Sequence, residues 1–148
     1  MDISALDTKG AAERGASLHL KHPALGHLLY SGEGADPRTG KLVDKDKPHE
    51  ACCAVIRGIE STTVRKAMRA QEKAALAGGD PTEELEEKGL EYVCLLVIDF
   101  TGLTDGGKPL KATDANKRKF FAQSDDLVLQ VLDFAKERAN FFNSGSTS

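Results

Sequence analysis

Apolar and polar positions alternate with a period of two in the first third of the chain and recur at helical spacing after residue 60. In "SLHLKHP", Leu18 and Leu20 fall on one face and His19 and Lys21 on the other. "GHLLYS" continues after a turn from Pro23 to Gly26, so residues 16–22 and 25–31 are expected to form a hairpin. "EACCAVIRGIES" alternates Cys53 and Val55 with Cys52, Ala54 and Ile56, which predicts a third, mostly buried strand over 50–59. Between these strands, residues 31–49 hold Gly, Pro and Asp with one apolar pair, Leu42 and Val43, and read as a long loop. The first 15 residues mix charge, Ala and Gly around a short helical turn. They read as an arm that needs a partner to order it.

Ser61 supplies an N-cap side chain, and "TTVRKAMRAQEKAALA" is built from strong helix formers until Gly78 and Gly79 stop it. Asp80 caps a second helix with Pro81 at its first position, and Glu83, Glu84, Glu86 and Glu87 place negative charge at the positive end of its dipole. Leu85, Gly89, Val93, Leu96 and Phe100 then recur at helical spacing. "YVCLLVIDF" is also rich in strand formers, but the capped acidic lead-in favours a helix through Phe100. Thr113 caps the short helix "DANKRKFFAQ", and Ser124 caps a last helix over 125–142. Its apolar stripe runs through Leu127 or Val128, Val131, Leu132, Ala135, Ala139 and Phe142.

The expectation is therefore an α+β protein: a small N-terminal antiparallel sheet, a hairpin plus a third strand, followed by about four helices. Residues 1–15 form the arm, 16–60 the β part with its loop at 31–49, 61–142 the helical part and 143–148 a flexible tail.

Composition adds little specificity. Of 148 residues 40% are hydrophobic and 29% charged, an ordinary globular balance. Trp is absent and there are six Phe, so a partner would complete the burial of a modest core. A net charge of −3 implies no global electrostatic partner. The longest apolar run, "YVCLLVI", is far short of the roughly 20 residues of a membrane span, and the N-terminus lacks a signal-peptide core, which points to synthesis in the cytosol with no membrane association. Cys52, Cys53 and Cys94 include an adjacent pair whose closure would be strained, so they read as reduced thiols.

His19, His22, His27 and His49 lie near Cys52 and Cys53, yet a zinc site needs convergent ligands, and both the His19/His22 pair and the two cysteines point to opposite faces of a strand. No metal is expected. Cys53 reads as strand filling rather than a nucleophile, the glutamates at 83–87 as a solvated helix start, and no phosphate or dinucleotide loop occurs. No catalytic residue and no cofactor are assigned, and the chain reads as a non-enzyme. Arg65, Lys66, Arg69 and Lys73 make a basic patch on the first long helix, with "NKRKFF" at 116–121 a second. Without a recognition motif they read as solvated or ion-paired faces before they read as a nucleic-acid surface.

The stretch "IDFTGLTDGGKPLKAT", residues 98–113, fails the calcium-loop template because the twelfth position counted from Asp99 is Leu110. It fails the Walker template because Lys108 is followed by Pro109. It reads instead as a hinge between two apolar helices, with Gly102 ending one, Asp105-Gly106-Gly107 turning, Thr113 capping the next, and Phe100, Leu103 and Leu110 packing across it.

The order of "IRGIESTTVRKAMR", "IDFTGLTDGGKPLKATDANKRKFF" and "VLDFAKERANFF" resembles tailed-phage and prophage proteins described as tail assembly chaperones or minor tail proteins. Gly102, Leu103, Gly106, Pro109, Thr113 and Asn116 fit the group's loop pattern, with Phe100 in place of its Trp, Glu60-Ser61 in place of Asp-Ser, and Ala139-Asn140-Phe141 at the end. The resemblance implies a non-enzymatic protein that acts in the host cytoplasm during tail assembly, binds tape-measure and tail-tube proteins, and works as a homo- or hetero-oligomer. The alternative is a permanent virion component, in the tail or at the head-tail joint, contacting neighbouring virion proteins. Partner contacts would fall on the apolar stripes of the two long helices and the loop between them: Leu96, Phe100, Leu103, Val131, Leu132, Phe141 and Phe142.

Overall fold

The computed structural model describes residues 2–75, 81–137 and 139–141, with the side chains of 71–75 and 81–88 set apart from the description. The expected stop at Gly78 and Gly79, the Asp80 cap, Phe142 and the tail at 143–148 lie outside the described residues, as do the side chains of Lys73, Leu85 and the acidic run at 83–87. After a 3-10 turn at Ile3–Leu6 come α1 (Thr8–Arg14), β1 (Ala16–His19), the two-residue strands β2 (Tyr30–Ser31) and β3 (Glu50–Ala51), β4 (Cys53–Ile56), α2 (Thr62–Ala75) and α3 (Pro81–Leu96). Then follow β5 (Val97–Thr101), the two-residue strands β6 (Thr104–Asp105) and β7 (Lys108–Pro109), α4 (Asp114–Phe121) and α5 (Asp125–Lys136).

The class is α+β, with a small antiparallel sheet early and helices mostly later. The sheet's order is β1-β4-β5. Ala16 lies opposite Ile56 and His19 opposite Cys53, while on the other edge Cys53 pairs with Thr101 and Val55 with Asp99. The expected hairpin holds from its tip as far as Leu20 and Leu29: the His22 amide donates to His27 O, Lys21 bridges Leu28, and the Leu29 amide donates to Leu20 O at 2.9 Å. Beyond that point its arms separate: β1 joins β4, and β2 pairs with β3. The loop at 31–49 is pinned by that pairing and by the Ala35–Leu42 bridge, with Ala35 buried.

The third strand of the sheet is a correction to the helix expected through Phe100. The helix ends at Leu96, and Val97–Thr101 pairs with β4. Two β-branched residues, Val97 and Ile98, lower the helix preference at this point. The exposed carbonyls at the end of α3 are satisfied from elsewhere: Arg57 donates its amide to Leu96 O at 2.7 Å and its guanidinium to Leu95 O at 2.9 Å, and Lys117 Nζ donates to Cys94 O at 3.0 Å. Two cations at a helix C-terminus also complement its dipole. Burial holds the Lys117 ammonium below the usual lysine value.

Residues 16–60 and 61–142 therefore share one core. Ala54 and Ile56 of β4 and Val97 and Phe100 of β5 pack with Val93 and Leu96 of α3, Phe121 of α4, and Leu127, Val131 and Ala135 of α5. The last helix is also shorter than its pattern suggests. It breaks at Glu137, helical backbone is found again at 139–141, and Phe141 packs against Ala11, Ala16 and Phe134.

The N-terminal segment finds its partner within the chain. Asp7 caps α1 by accepting from the Gly10 amide at 2.8 Å, Ala11 and Ala12 are buried, and the Gly58 amide donates to Ala12 O at 2.9 Å. Glu13, in the last turn of α1, accepts from the Ser61 hydroxyl and from the amide and hydroxyl of Thr63, so α1 completes the cap of α2 that Ser61 begins. The Ser61 and Thr63 hydrogen bonds hold the Glu13 carboxyl down at about 2, from an ordinary 4.5. A carboxylate depressed in the fold contributes its stability fully above about pH 4.5 and loses it as the pH falls towards about 2. Because the side chain is 39% exposed, solvent screening trims the gain, and Glu13→Gln is expected to cost about 1 kcal/mol at neutral pH. Urea unfolding over a pH series should show the gap between wild type and variant closing below pH 4.5; a gap independent of pH would show that the charge is not involved.

Candidate protein-binding groove

The segment 98–113 is not a hinge. It is an edge strand, a close backbone crossing and a tight hairpin that together connect α3 to α4. Gly102 has φ +77°, and a Cβ there would lie 2.4 Å from Ala51 O. Gly106 and Gly107 have φ of +60° and +81°, both positive as a two-residue type I′ turn between β6 and β7 requires. Leu110 then donates its amide to Leu103 O at 2.9 Å, and Leu103, Leu110 and Ala112 pack against the core.

Thr113 caps α4 through the Asn116 amide at 3.2 Å, and the Asn116 side chain donates to Lys111 O. Three consecutive cations then brace this helix. Lys117 reaches the end of α3 as described; Arg118 pairs with Asp114 at 2.9 Å and Glu91 of α3 at 3.9 Å; Lys119 pairs with Asp105 of the hairpin at 3.0 Å. The "NKRKFF" patch is thus occupied with intramolecular bonds. On α2, Arg65, Lys66 and Arg69 are exposed.

Held in this way, α3, α4 and α5 leave an open groove of about 450 Å³ lined by Gly89, Leu90, Phe121, Ala122, Asp125, Val128 and Leu129. Its floor is the fully buried Phe121, and its rim carries Leu129, 54% exposed. Ser124 caps α5 by accepting from the Asp126 amide, and Gln130 clamps the backbone of Lys21 with two hydrogen bonds of 2.9 Å, fixing this helix to the end of β1.

The residues expected to meet a partner lie elsewhere. Leu96 and Val131 are fully buried, Phe100 and Phe141 nearly so, and Leu103 and Leu132 half-buried against the core; Phe142 is outside the described residues. The six described residues, Leu96, Phe100, Leu103, Val131, Leu132 and Phe141, are in the core or packed against it. An amphipathic stripe records that a face is covered and does not record by what, and here the chain's own sheet covers it. The groove residues were missed, although Leu129 had a signal: it stands off the stripe, between Asp125, Asp126 and Asp133 on the polar face. Gly89 had another, as a mid-helix glycine. A Cβ there meets nothing within 4 Å, so Gly89 is not required by packing. Gly89→Ala is expected to raise stability by about 0.5–1 kcal/mol through helix propensity. Gly89→Leu should fold equally well and weaken capture of any partner by filling the groove, a pair of outcomes read by thermal melting and pull-down.

The other candidate chemistry resolves into structural roles. His19 donates to Leu29 O at 2.7 Å, His27 to Thr39 O at 2.8 Å and His49 to Lys47 O at 2.9 Å, and His22 Nδ1 accepts from the amides of Ala24 and Leu25. Among the described residues no three His, Cys, Asp or Glu side chains are placed to hold a metal ion. Cys52 donates to Gly102 O at 3.4 Å, and burial pushes the Cys52 and Cys94 thiols up, away from the thiolate a nucleophile needs. No helix among the described residues is long and apolar enough to cross a membrane. Compared with models of protein families, with curated proteins and with solved structures, the chain matches none.

Proposed function

We propose that this chain is a non-enzymatic protein of phage tail morphogenesis, a tail assembly chaperone that takes helical segments of the tape-measure and tail-tube proteins into the groove between α3 and α5. The observation that carries the reading is the groove itself: a preformed apolar trough with Leu129 exposed on its rim and Phe121 as its floor, dimensions suited to one face of an amphipathic helix. The segment that most resembles the tail-assembly group, 98–113, meets α4 through the Asp105–Lys119 pair, while Arg118 and Lys117 of α4 tie that helix to Glu91 and Cys94 O of α3 and so hold the trough's wall. This support replaces the apolar stripes, which the core consumes. The chaperone acts in the host cytoplasm and leaves before the particle is complete.

Mass spectrometry of purified particles, beside pull-down from infected cells, tests this. The expected result is co-purification with tape-measure or tube protein from cells and absence from particles. Leu129→Glu should abolish that capture while leaving melting unchanged, because an exposed side chain away from the core changes stability by no more than about 0.5 kcal/mol. Stoichiometric recovery from particles would overturn the chaperone reading in favour of a permanent tail or head-tail joining component.

A further inference from the structure

Two helices of this chain carry faces of matching form and opposite charge. On α2, Val64 is fully buried, and one turn later Met68 is 41% exposed. Met68 is flanked by the exposed cations Arg65 and Arg69, with Lys66 beside them. On α5, Leu129 is 54% exposed and stands between exposed Asp125 one turn before and Asp133 one turn after. Among the described residues neither Arg65, Lys66 and Arg69 nor Asp125 and Asp133 enter an ion pair, whereas Arg57, Arg118 and Lys119 all do.

We propose that the α3–α5 groove binds α2 of a second copy of this chain, with Met68 seated beside Leu129 and Arg65 and Arg69 facing Asp125 and Asp133. The inference shares with the proposed function the reading of this groove as a helix-docking site, and it names the occupant present when no tail protein is bound. An exposed apolar side chain set among charges of one sign selects a partner by repelling its own kind and attracting the opposite set. The groove's acidic rim therefore prefers a basic amphipathic helix, and α2 is one. Donor and acceptor faces differ, so the contact either closes as a pair in which each copy supplies both faces, or propagates head to tail.

Sedimentation of the full chain tests this through charge exchange. The wild type should self-associate at about 0.05 M salt and dissociate as salt rises to about 0.5 M, since exposed pairs are screened over that range. Arg65→Glu/Arg69→Glu makes both faces acidic, and Asp125→Lys/Asp133→Lys makes both basic; each variant should be monomeric alone, with wild-type melting as the check on folding. Mixed one to one, the two should associate, because each face then meets its opposite. A wild type that is monomeric at low salt overturns the proposal, and so does self-association that either variant leaves intact. Loss of nucleic-acid retention by the α2 variant with self-association unchanged also overturns it, by assigning the basic face to phosphates. Tail-protein capture by a wild type that does not self-associate defeats this inference and spares the proposed function; self-association through these faces without tail-protein capture does the reverse.

Discussion

Phe121→Ala is expected to destabilise the protein by about 3–5 kcal/mol, the range for removing a buried aromatic side chain whose surroundings cannot collapse into the space. Phe121 is 1% exposed and sits at the end of α4, with its ring 5.0 Å from Phe120 in an edge-to-face arrangement and 6.2 Å from Phe100 of β5. Aromatic pairs of this geometry add to the area term. Helix α4 is braced on α3 and on the β6–β7 hairpin by Arg118 and Lys119, so its backbone has little freedom to follow the missing ring. Denaturant unfolding should show a lower midpoint with an unchanged slope, and a melting temperature lower by roughly 10 °C for a chain of this size. Leu129→Ala, on the same groove but exposed, is the control and should be close to neutral. A loss below about 1 kcal/mol for Phe121→Ala would show that the floor of the groove is not part of the core.

The second large effect is expected at a backbone position. Gly102→Ala puts a Cβ 2.4 Å from Ala51 O and 3.0 Å from the Ala51 carbonyl carbon, at φ +77°. Both obstacles are backbone, so neither can rotate away; the chain at residue 102 must shift from Ala51, which strains the adjoining Cys53–Thr101 pairing and the hydrogen bond from the Cys52 thiol to the residue 102 carbonyl. Strain of about 1–3 kcal/mol from the left-handed backbone adds to the cost of that displacement, giving about 3 kcal/mol or more. Gly106→Asn is the contrast. Its φ is +60° and nothing lies within 4 Å of the added Cβ, and Asn is at home in a type I′ turn, so the change should be nearly neutral. Amide exchange should report the difference: Gly102→Ala speeds exchange across the β4–β5 pairing, and Gly106→Asn leaves it unchanged. Equal effects from the two substitutions would mean that the close crossing at Ala51 does not constrain the fold.

Both effects fall in or beside the segment 98–113, where local signals and tertiary context diverge most. Its turn chemistry was legible, because two adjacent glycines after an aspartate and a Thr before a polar helix have few backbone uses other than a tight turn and an N-cap. Its beginning was not. "YVCLLVIDF" satisfies a helical period and a buried strand equally well, and the outcome was decided by Arg57 and Lys117 reaching the end of α3 and by an open edge on β4. The same holds at the chain's N-terminus, whose order depends on a carboxylate in α1 reaching Ser61 and Thr63 across 48 and 50 residues.

The sequence by itself determined the α+β class, the caps at Ser61, Thr113 and Ser124, the glycine turn and the apolar stripes, all of which depend on residues within a few positions of one another. Tertiary structure decided what covers each stripe. Leu96, Val131 and Phe141 turned inward to the chain's own sheet and arm, while Leu129, Arg65, Lys66 and Arg69 were left exposed and Gly89 lines the open groove. The physical reason is that hydrophobic burial is non-directional: periodicity states that a face leaves water, and only the packing of distant segments states which surface replaces it.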